Sequence, residues 1–354
     1  KLYKRKSGNM SYLSYLNVKK FRGISNLEIE NLVNINIIVG DNNSGKTSLL
    51  ESIAFLEKPD SIKNMLLNAS RRDSNKISKF ELFLEMFPKN QNNIRDIQIE
   101  SIINNIKNEL KIEGKISEVV DFNSRNSYFD SKVFEGYVNL KKDNEEILNK
   151  EIYIQENKQM RSSEDLNLIK IIYMTPYDHF IENMLNNTIE VIKEGDKDKI
   201  VKLLKLFDEN IIGFEVLPNL KQNSSSIYIN HKIYNLMPLS SFGDGVKKVL
   251  TLASGLINAK NGILLIDEIE TAIYKDMISD VFKWFVKSCM EYNVQLICTT
   301  HSLEVIDSIV EGMENNISKL ACFRIETIDN DMNATRFSGS KLKDIRTILG
   351  QDVR

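Results

Sequence analysis

Residues 40–47 read Gly-Asp-Asn-Asn-Ser-Gly-Lys-Thr and match the pattern G-x-x-x-x-G-K-[ST] at every position. The preceding residues, 34–39, form an apolar-rich run that predicts a strand, and residues 47–56 predict a helix. Strand, glycine loop and helix in this order are the context that a phosphate-binding loop requires. The chain is therefore predicted to fold around a site for nucleotide phosphates.

The residue types of this phosphate loop suit that chemistry. Gly40 and Gly45 let the backbone fold back, so that successive N–H groups and the N-terminus of the next helix surround phosphate oxygens. Lys46 adds a positive charge at the β- and γ-phosphates, and the Thr47 hydroxyl is predicted to ligate Mg²⁺. The predicted nucleotide-binding residues are Gly40, Asn42, Asn43, Ser44, Gly45, Lys46, Thr47 and Ser48.

Two further apolar runs predict buried strands that end in polar residues. Residues 263–266 lead to Asp267 and Glu268, and residues 294–298 lead to His301. Ligands of open parallel sheets bind at the carboxyl ends of the strands. Asp267 is predicted to hold Mg²⁺ through water, Glu268 to polarise the attacking water as general base, and His301 to hydrogen-bond the γ-phosphate. The predicted catalytic residues are Glu268, Lys46 and His301, and the predicted metal ligands are Thr47 and Asp267.

A second loop built from serine and glycine lies between these regions. Residues 241–245, Ser-Phe-Gly-Asp-Gly, stand immediately before a predicted helix at 246–257 and are called the signature segment below. Small residues before a helix form an anion site at its N-terminus. Phosphate loop, Ser/Gly segment, acidic strand end and histidine, in this order, distinguish ATP-binding-cassette enzymes from other P-loop classes.

The predicted fold class is α/β: a P-loop NTPase of ATP-binding-cassette type, with a mixed or parallel sheet flanked by helices, an antiparallel β lobe and a small helical insertion. Short strand-like runs predict the antiparallel lobe, and a hairpin is predicted to turn at Asn230-His231. The predicted segments are 10–60 (first half of the ATPase head), 61–179 (antiparallel lobe), 180–215 (helical insertion) and 216–354 (second half of the head).

The composition limits the kinds of partner that the chain is expected to bind. Lys plus Arg (47) nearly balances Asp plus Glu (49), so DNA binding would need a local basic patch. A basic stretch occurs before the first acidic residue: Lys1, Lys4, Arg5, Lys6, Lys19, Lys20 and Arg22. A solvated tail and strand edge is the more common form of such a stretch. Three irregularly spaced cysteines and the lack of an apolar run of membrane-spanning length predict a cytoplasmic protein with no membrane partner.

The motifs resemble the RecF/SMC-like branch of ATP-binding-cassette ATPases, and most closely the ATPase module of the OLD (overcoming lysogenization defect) type. The resemblance rests on residues 21–24, the phosphate loop, 239–245, 265–270 and 299–302. It implies that two heads pair head to tail around ATP and Mg²⁺, as a homodimer or higher homo-oligomer. Ser241, Gly243 and Gly245 would then act in trans on the partner's ATP.

The chain departs from this family at two places. Asn43 stands where the family usually has glycine, a change that is tolerated because Asn visits the left-handed conformation readily. Residues 271–274, Thr-Ala-Ile-Tyr, replace the family's usual Gly-Leu-His ending, which contacts the opposite head. Only some fifty residues follow His301, fewer than the family's Toprim nuclease domain needs. Asp329, Asn330 and Asp331 are interpreted as a polar turn and not as a nuclease metal site.

Three functions stay open. The favoured one is an ATPase sensor or scaffold subunit of a bacterial anti-phage defence system that acts with a separate nuclease or toxin effector. The second is a RecF-like repair ATPase, which leaves DNA open as a partner and predicts salt-sensitive binding. The third is the ATPase subunit of a membrane transporter, which would usually match Leu-Ser-Gly-Gly-Gln more closely than the signature segment does.

Overall fold

The computed structural model describes residues 12–70, 78–89, 94–122, 128–156, 166–176, 178, 183–219, 224–328 and 331–354. Some residues singled out from the sequence lie outside this set, namely Lys1, Lys4, Arg5 and Lys6 of the basic stretch and Asp329 and Asn330 of the polar turn.

A six-stranded mixed sheet forms the centre of the nucleotide-binding fold. Across the sheet its strands are β15 (Asp331–Ser338), β14 (Leu320–Ile328), β3 (Ile35–Gly40), β13 (Gln295–Thr299), β12 (Ile263–Ile266) and β8 (Ile171–Met174). All neighbours pair in parallel except β14 and β15, which are antiparallel. Every residue of β3, β12 and β13 is buried, because both faces of the sheet are covered.

A second six-stranded sheet is entirely antiparallel. Its order is β2 (Ile24–Glu30), β1 (Leu13–Phe21), β4 (Ile94–Ile103), β5 (Ile106–Phe122), β6 (Tyr128–Lys142) and β7 (Glu145–Gln155). The antiparallel lobe expected from the sequence is therefore present, but β1 pairs directly with β4, for example Val18 with Ile99. The predicted boundary between residues 60 and 61 thus falls between strands of one sheet. Pairing of distant segments is not visible in local periodicity.

A three-stranded antiparallel sheet and nine helices complete the described fold. The strands are β9 (Ile211–Asn219), β10 (Ser224–His231) and β11 (Asn235–Pro238). The helices are α1 (Lys46–Phe55), α2 (Ile62–Ser70), α3 (Lys79–Leu84), α4 (Asn183–Glu194), α5 (Lys197–Leu204), α6 (Asp244–Asn258), α7 (Lys275–Glu291), α8 (Leu303–Gly312) and α9 (Gly339–Lys343). None of the helices in the described part of the chain is both long and apolar enough to cross a membrane.

Two details differ from the sequence prediction in the segment before the signature. The helical insertion is formed by α4 and α5, but β9 begins at Ile211 and runs across the predicted boundary at residue 215. The hairpin between β10 and β11 turns at residues 232–234, not at Asn230-His231. His231 is instead buried within β10 and its ring contacts Asp208. The turn was predicted too early because the side chain of His231 is held by tertiary contacts.

The parallel sheet separates two hydrophobic cores. Alternate residues of β12 point to opposite sides: Ile263 and Leu265 pack with α1, α3 and the antiparallel sheet, whereas Leu264 and Ile266 pack with α4 to α8 and the small sheet. The three cysteines lie in this second core as free, buried thiols. The result is a layered α/β fold, which confirms the predicted fold class.

Candidate functional site

Four parallel strands end side by side at one edge of the central sheet. In order across the sheet they are β3, β13, β12 and β8. The residues that follow them carry the predicted chemistry: the phosphate loop after β3, Thr300 and His301 after β13, Asp267 and Glu268 after β12 and Thr175 after β8. We call this set of strand ends the nucleotide edge. These residues are far apart in the sequence, and the parallel pairing of the strands brings them together.

The phosphate loop depends on backbone conformations that favour particular residues. Gly40 has φ 143°, and a Cβ there would lie 2.4 Å from the carbonyl oxygen of Ile325 in the neighbouring strand. Gly45, directly before α1, has φ 91°. Asn43 has φ 65°, the left-handed conformation that was expected where the family usually has glycine. These three residues let the loop turn back over the start of α1.

Lys46 is the first residue of α1 and is 7% exposed. Its Nζ donates to the carbonyl oxygens of Gly40 (2.8 Å) and Asp41 (2.7 Å), so the ammonium is held inside the loop. Burial lowers the pKa of Lys46, and the nearby carboxylates, Asp267 first among them, oppose that shift. An ammonium group held at the N-terminus of a helix is suited to binding phosphate oxygens.

Asp267 lies at the centre of a hydrogen-bond network. Its Oδ2 accepts from the Thr47 hydroxyl at 2.7 Å, and its Oδ1 accepts from the Thr299 hydroxyl at 2.6 Å. The Thr299 oxygen in turn accepts the Glu268 N–H at 2.7 Å. The network ties α1, β12 and β13 together. Each carboxylate oxygen has a donor, which fixes the orientation of a nearly buried charge.

Glu268 takes an unusual backbone conformation for its residue type. Its φ is 46°, in the left-handed region that non-glycine residues rarely adopt. The side chain is exposed towards the cavity, and its Oε2 accepts from the Thr271 hydroxyl at 3.3 Å. Strain of this kind persists where the surroundings hold it, as the Thr299 hydroxyl does here. Glu268 and Asp267 both line the cavity, but only Asp267 is buried.

His301 is positioned from two sides. Its backbone N–H donates to Glu270 Oε1 at 2.7 Å, and its carbonyl oxygen accepts from Arg354 Nη1 at 2.5 Å. Val353, next to that arginine, is 1% exposed and belongs to the core beneath α8. The loop that carries the imidazole is thus fastened both to the acidic segment after β12 and to residues near the end of the chain.

A cavity of about 1230 Å³ opens over the nucleotide edge. Nine of the residues predicted from the sequence line it: Asn42, Asn43, Gly45, Lys46, Thr47, Ser48, Asp267, Glu268 and His301. Gly40 and Ser44 do not line it, because Gly40 lies against β14 and Ser44 is buried within the loop. The cavity therefore joins the groups that came from three separate sequence motifs.

Several lining residues were missed from the sequence. Tyr173, Thr175 and Pro176 come from β8 and the residues after it, a strand of only four residues whose apolar run was not recognised. Arg22 also lines the cavity, and its Nε pairs with Glu51 Oε2 at 2.7 Å with both side chains nearly buried. The far end of the cavity is lined by Leu84, Glu85, Phe87, Lys89 and Arg95. Arg22 belongs to residues 21–24, which carry part of the family resemblance, whereas the other residues belong to no short motif and only the fold reveals them.

The described part of the N-terminal basic stretch is neutralised by acidic partners. Lys19 forms a salt bridge with Glu100, and Lys20 pairs with Asp96 at 2.7 Å, both across to β4. Together with the Arg22–Glu51 pair, these contacts leave no net positive patch at the three described residues of the stretch. This agrees with the interpretation of the stretch as a strand edge.

The signature segment lies apart from the cavity. Ser241, Gly243 and Gly245 are described, and none of them is among the residues that line it. Ser241 and Gly243 are exposed, whereas Gly245 is covered by Phe207, Ala272 and Tyr274. Tyr274 is itself 70% exposed. Ala272 has φ 67°, in the segment where the family usually has glycine.

The donor set at Thr47 and Asp267 suits Mg²⁺. A hydroxyl and a carboxylate oxygen 2.7 Å apart, at the rim of a phosphate site, are the few protein ligands that this ion uses when phosphates and water complete its shell. Among the described residues there is no group of three or more His, Cys, Asp or Glu placed to hold a metal ion. A phosphate-dependent site does not need such a group.

A family model matches most of the chain. Residues 35–307 match the family described as AAA domain, putative AbiEii toxin, Type IV TA system. An ATP/GTP phosphatase of Helicobacter pylori is 25% identical over 358 aligned residues, 87% of this chain and 91% of that protein. The DNA replication and repair protein RecF of Francisella tularensis subsp. novicida is 34% identical over 100 residues, 25% of this chain and 28% of that protein.

Among solved structures, the SMC head bound to the C-terminal winged-helix domain of ScpA resembles this fold. The TM-score is 0.52 at 13% identity, and the alignment covers 93% of this chain and 98% of that one. At this identity the similarity concerns the fold alone. It supports the layered arrangement of a parallel sheet, an antiparallel sheet and flanking helices described above.

Proposed function

This chain belongs to the family described as AAA domain, putative AbiEii toxin, Type IV TA system, and is an ATPase; we propose that it works as a head that pairs with a second copy around ATP and Mg²⁺. The observation that carries the proposal is the Thr47–Asp267–Thr299–Glu268 network. It joins the phosphate loop to the acidic strand end, and this arrangement supports a site for phosphoryl transfer to water.

The residues of the nucleotide edge divide the work. Lys46 and the N–H groups at the start of α1 bind the β- and γ-phosphates. Thr47 and Asp267 would hold Mg²⁺, which would supply positive charge against the negative charge that develops on the phosphates during transfer. Glu268, which is exposed to the cavity, accepts a proton from the attacking water. His301 hydrogen-bonds the γ-phosphate and responds to its loss.

Pairing of two copies is proposed from the position of the signature segment. Ser241 and Gly243 are exposed at the start of α6 and do not line the cavity of their own chain. A helix N-terminus with small residues attracts anions, so this segment is suited to a nucleotide bound elsewhere. Two copies related by two-fold symmetry would place each signature segment over the other's ATP.

For the biological role we propose a subunit of an anti-phage defence system that acts in the cytoplasm with a separate nuclease or toxin effector. Support comes from the description of the family, which names a toxin and a type IV TA system. The OLD type remains the proposed branch within the RecF/SMC-like ATPases. ATP-dependent pairing of heads would then restrain or release the effector.

The test is ATP turnover by the wild type and by Glu268→Gln, with mass measured in solution with and without ATP. We expect the wild type to hydrolyse ATP and the variant to lose about 10²- to 10⁴-fold in turnover, since the general base is removed. The variant keeps ATP binding and is expected to accumulate as a dimer. Asp280→Asn, an exposed change on α7, serves as the matched control. A wild type that stays monomeric with ATP, together with a monomeric variant, would refute pairing.

A RecF-like DNA-binding ATPase is the second candidate, favoured by the 34% identity with RecF over 100 residues. It predicts that duplex DNA raises turnover several-fold and that binding weakens steeply with salt. Turnover of the wild type with and without duplex DNA, at two salt concentrations, separates the two candidates. An unchanged rate favours the effector-linked ATPase.

A further inference from the structure

Lys248 is a lysine that the catalytic scheme does not use. It lies in the second turn of α6, a few residues after the signature segment, and is 1% exposed. Its side chain is therefore almost completely shielded from solvent. Its neighbour Lys247 is different, because it is partly exposed and pairs with Asp244 at 2.9 Å. A buried ammonium is costly unless opposite charges lie near it.

The charges around Lys248 come from the loops of the nucleotide edge. Burial lowers the pKa of Lys248 to about 8, and four carboxylates oppose this shift, in the order Asp178, Glu270, Glu268 and Asp267. These residues lie after β8 and after β12, two strands that end at the nucleotide edge. The helix that begins at the signature segment therefore carries a cation into the acidic side of its own chain's site.

The two carboxylates with the largest influence each hold a loop of the site. Asp178 Oδ2 accepts the Thr175 N–H at 2.7 Å, and Thr175 lines the nucleotide cavity. Glu270 Oε1 accepts the His301 N–H at 2.7 Å, while its Oε2 is buried without a hydrogen-bond partner. Glu270 Oε2 is therefore not held by a hydrogen bond and is attracted by the buried ammonium of Lys248. Because α6 carries Lys248, a small shift of this helix changes the electrostatic force on Glu270.

We propose that Lys248 is a positioning residue that couples the signature segment to the nucleotide edge of the same chain, acting through Asp178 and Glu270 on the loops that carry Thr175 and His301. The inference rests on the proposed function, in which the signature segment contacts the partner's ATP. Movement of α6 on engagement would then reach the imidazole of the same chain. One bound nucleotide would thus influence hydrolysis of the other.

The first test is steady-state ATP turnover and thermal unfolding of Lys248→Met, with Lys247→Met as the matched control. Methionine has a similar length and fills the same space without a charge. We expect kcat to fall about tenfold, because the loops lose their alignment, with KM within about twofold of the wild type. The melting temperature is expected to rise, since a buried charge is removed. Lys247→Met should match the wild type in all three measurements.

A second variant tests the same coupling from the acidic side. Glu270→Gln keeps an oxygen that can accept the His301 N–H but removes the charge that Lys248 attracts. We expect a similar loss of kcat, and no further loss in the double variant, because both changes interrupt one path. If Lys248→Met does not fold, the result for Glu270→Gln still decides the question.

The outcomes are distinct. A wild type that binds ATP without turnover refutes the proposed function and this inference with it. An active wild type with unchanged kcat in Lys248→Met or in Glu270→Gln refutes the inference alone. Additive losses in the double variant also refute it, because the two residues would then act independently.

Discussion

At the nucleotide edge the polar groups have hydrogen-bond partners within the chain. Lys46 donates to two loop carbonyls, and Asp267 accepts from two threonine hydroxyls. The Glu268 N–H donates to one of these same hydroxyls, that of Thr299. The signature segment is built differently. Ser241 and Gly243 are exposed, and the neighbouring Tyr274 is largely exposed as well. One region of the predicted machinery is thus held by contacts within the chain, and the other presents its groups to solvent.

This difference indicates which region serves the chemical step and which serves the pairing of two copies. A preorganised polar network stabilises developing charge without reorganisation during the reaction, so most of the chemistry belongs to the nucleotide edge. Exposed small residues at a helix N-terminus offer an anion site that a second molecule can reach. We therefore expect changes at the nucleotide edge to damage each copy by itself, and changes at the signature segment to damage only the pair.

The largest effect is expected for Lys46→Met. The side chain keeps its length but loses the charge that binds the phosphates, so turnover should fall by at least about 10³-fold and ATP affinity should fall with it. Turnover and equilibrium binding of a fluorescent ATP analogue measure both. Lys63→Met, at an exposed lysine of α2, is the control. Binding that survives in Lys46→Met would mean that the nucleotide edge is not the phosphate site.

Ser241→Arg should lower turnover about 10²-fold by disturbing the contact between the signature segment and the partner's ATP, while pairing, the melting temperature and ATP binding by the monomer stay unchanged. A mixture sharpens the result. In a dimer of Ser241→Arg with Lys46→Met, one site combines an intact phosphate loop with an intact signature segment. An equal mixture should therefore recover about a quarter of wild-type turnover, because half the dimers are mixed and each has one complete site. A mixture no more active than its parents would contradict action in trans.

Thr299→Val tests whether the network itself matters. Valine keeps the shape but removes the hydroxyl that donates to Asp267 and accepts from Glu268, so turnover should fall about tenfold and the free energy of unfolding by about 1 to 2 kcal/mol. Thr251→Val is the matched control, because that hydroxyl is equally buried but donates to the Lys247 carbonyl within α6. The control should leave turnover unchanged. Equal turnover in both variants would show that the network only stabilises the fold.

The nucleotide edge was largely predictable from the sequence because its motifs are local. The phosphate loop lies between β3 and α1, Asp267 directly follows β12, and His301 is the second residue after β13, so apolar runs and their end residues locate them. The same reasoning missed β8, whose four residues carry no turn signal of their own, and it missed the pairing of β1 with β4. Pairing between distant segments depends on tertiary packing, which one strand's periodicity does not encode.

The two adjacent lysines of α6 also show what the sequence does not predict. Lys247 and Lys248 are adjacent and chemically identical in the sequence, yet one pairs with Asp244 near the surface and the other is buried beside the acidic loops. Their difference arises from the rotation of α6 about its axis once it packs against the sheet. In the proposed coupling Lys248 links the two regions compared above, because it follows the signature segment and is buried under the influence of the carboxylates after β8 and β12.

The smallest predicted effect is the pH dependence that Lys248 gives to stability. Its pKa is about 8 in the folded protein against 10.5 as the ordinary value, so between these values the unfolded chain retains a proton that the folded chain has released. The free energy of unfolding should therefore rise with pH in this window, by about 1 kcal/mol between pH 7 and 9 from this residue.

Denaturant unfolding of the wild type, Lys248→Met and Lys247→Met at pH 7, 8 and 9 isolates the contribution as a difference between curves. The difference between the wild type and Lys248→Met should shrink as pH rises, whereas Lys247→Met should run parallel to the wild type. Three parallel curves would mean that Lys248 reaches water or a stronger counter-charge, and the link between the signature segment and the nucleotide edge would then have to run through packing alone.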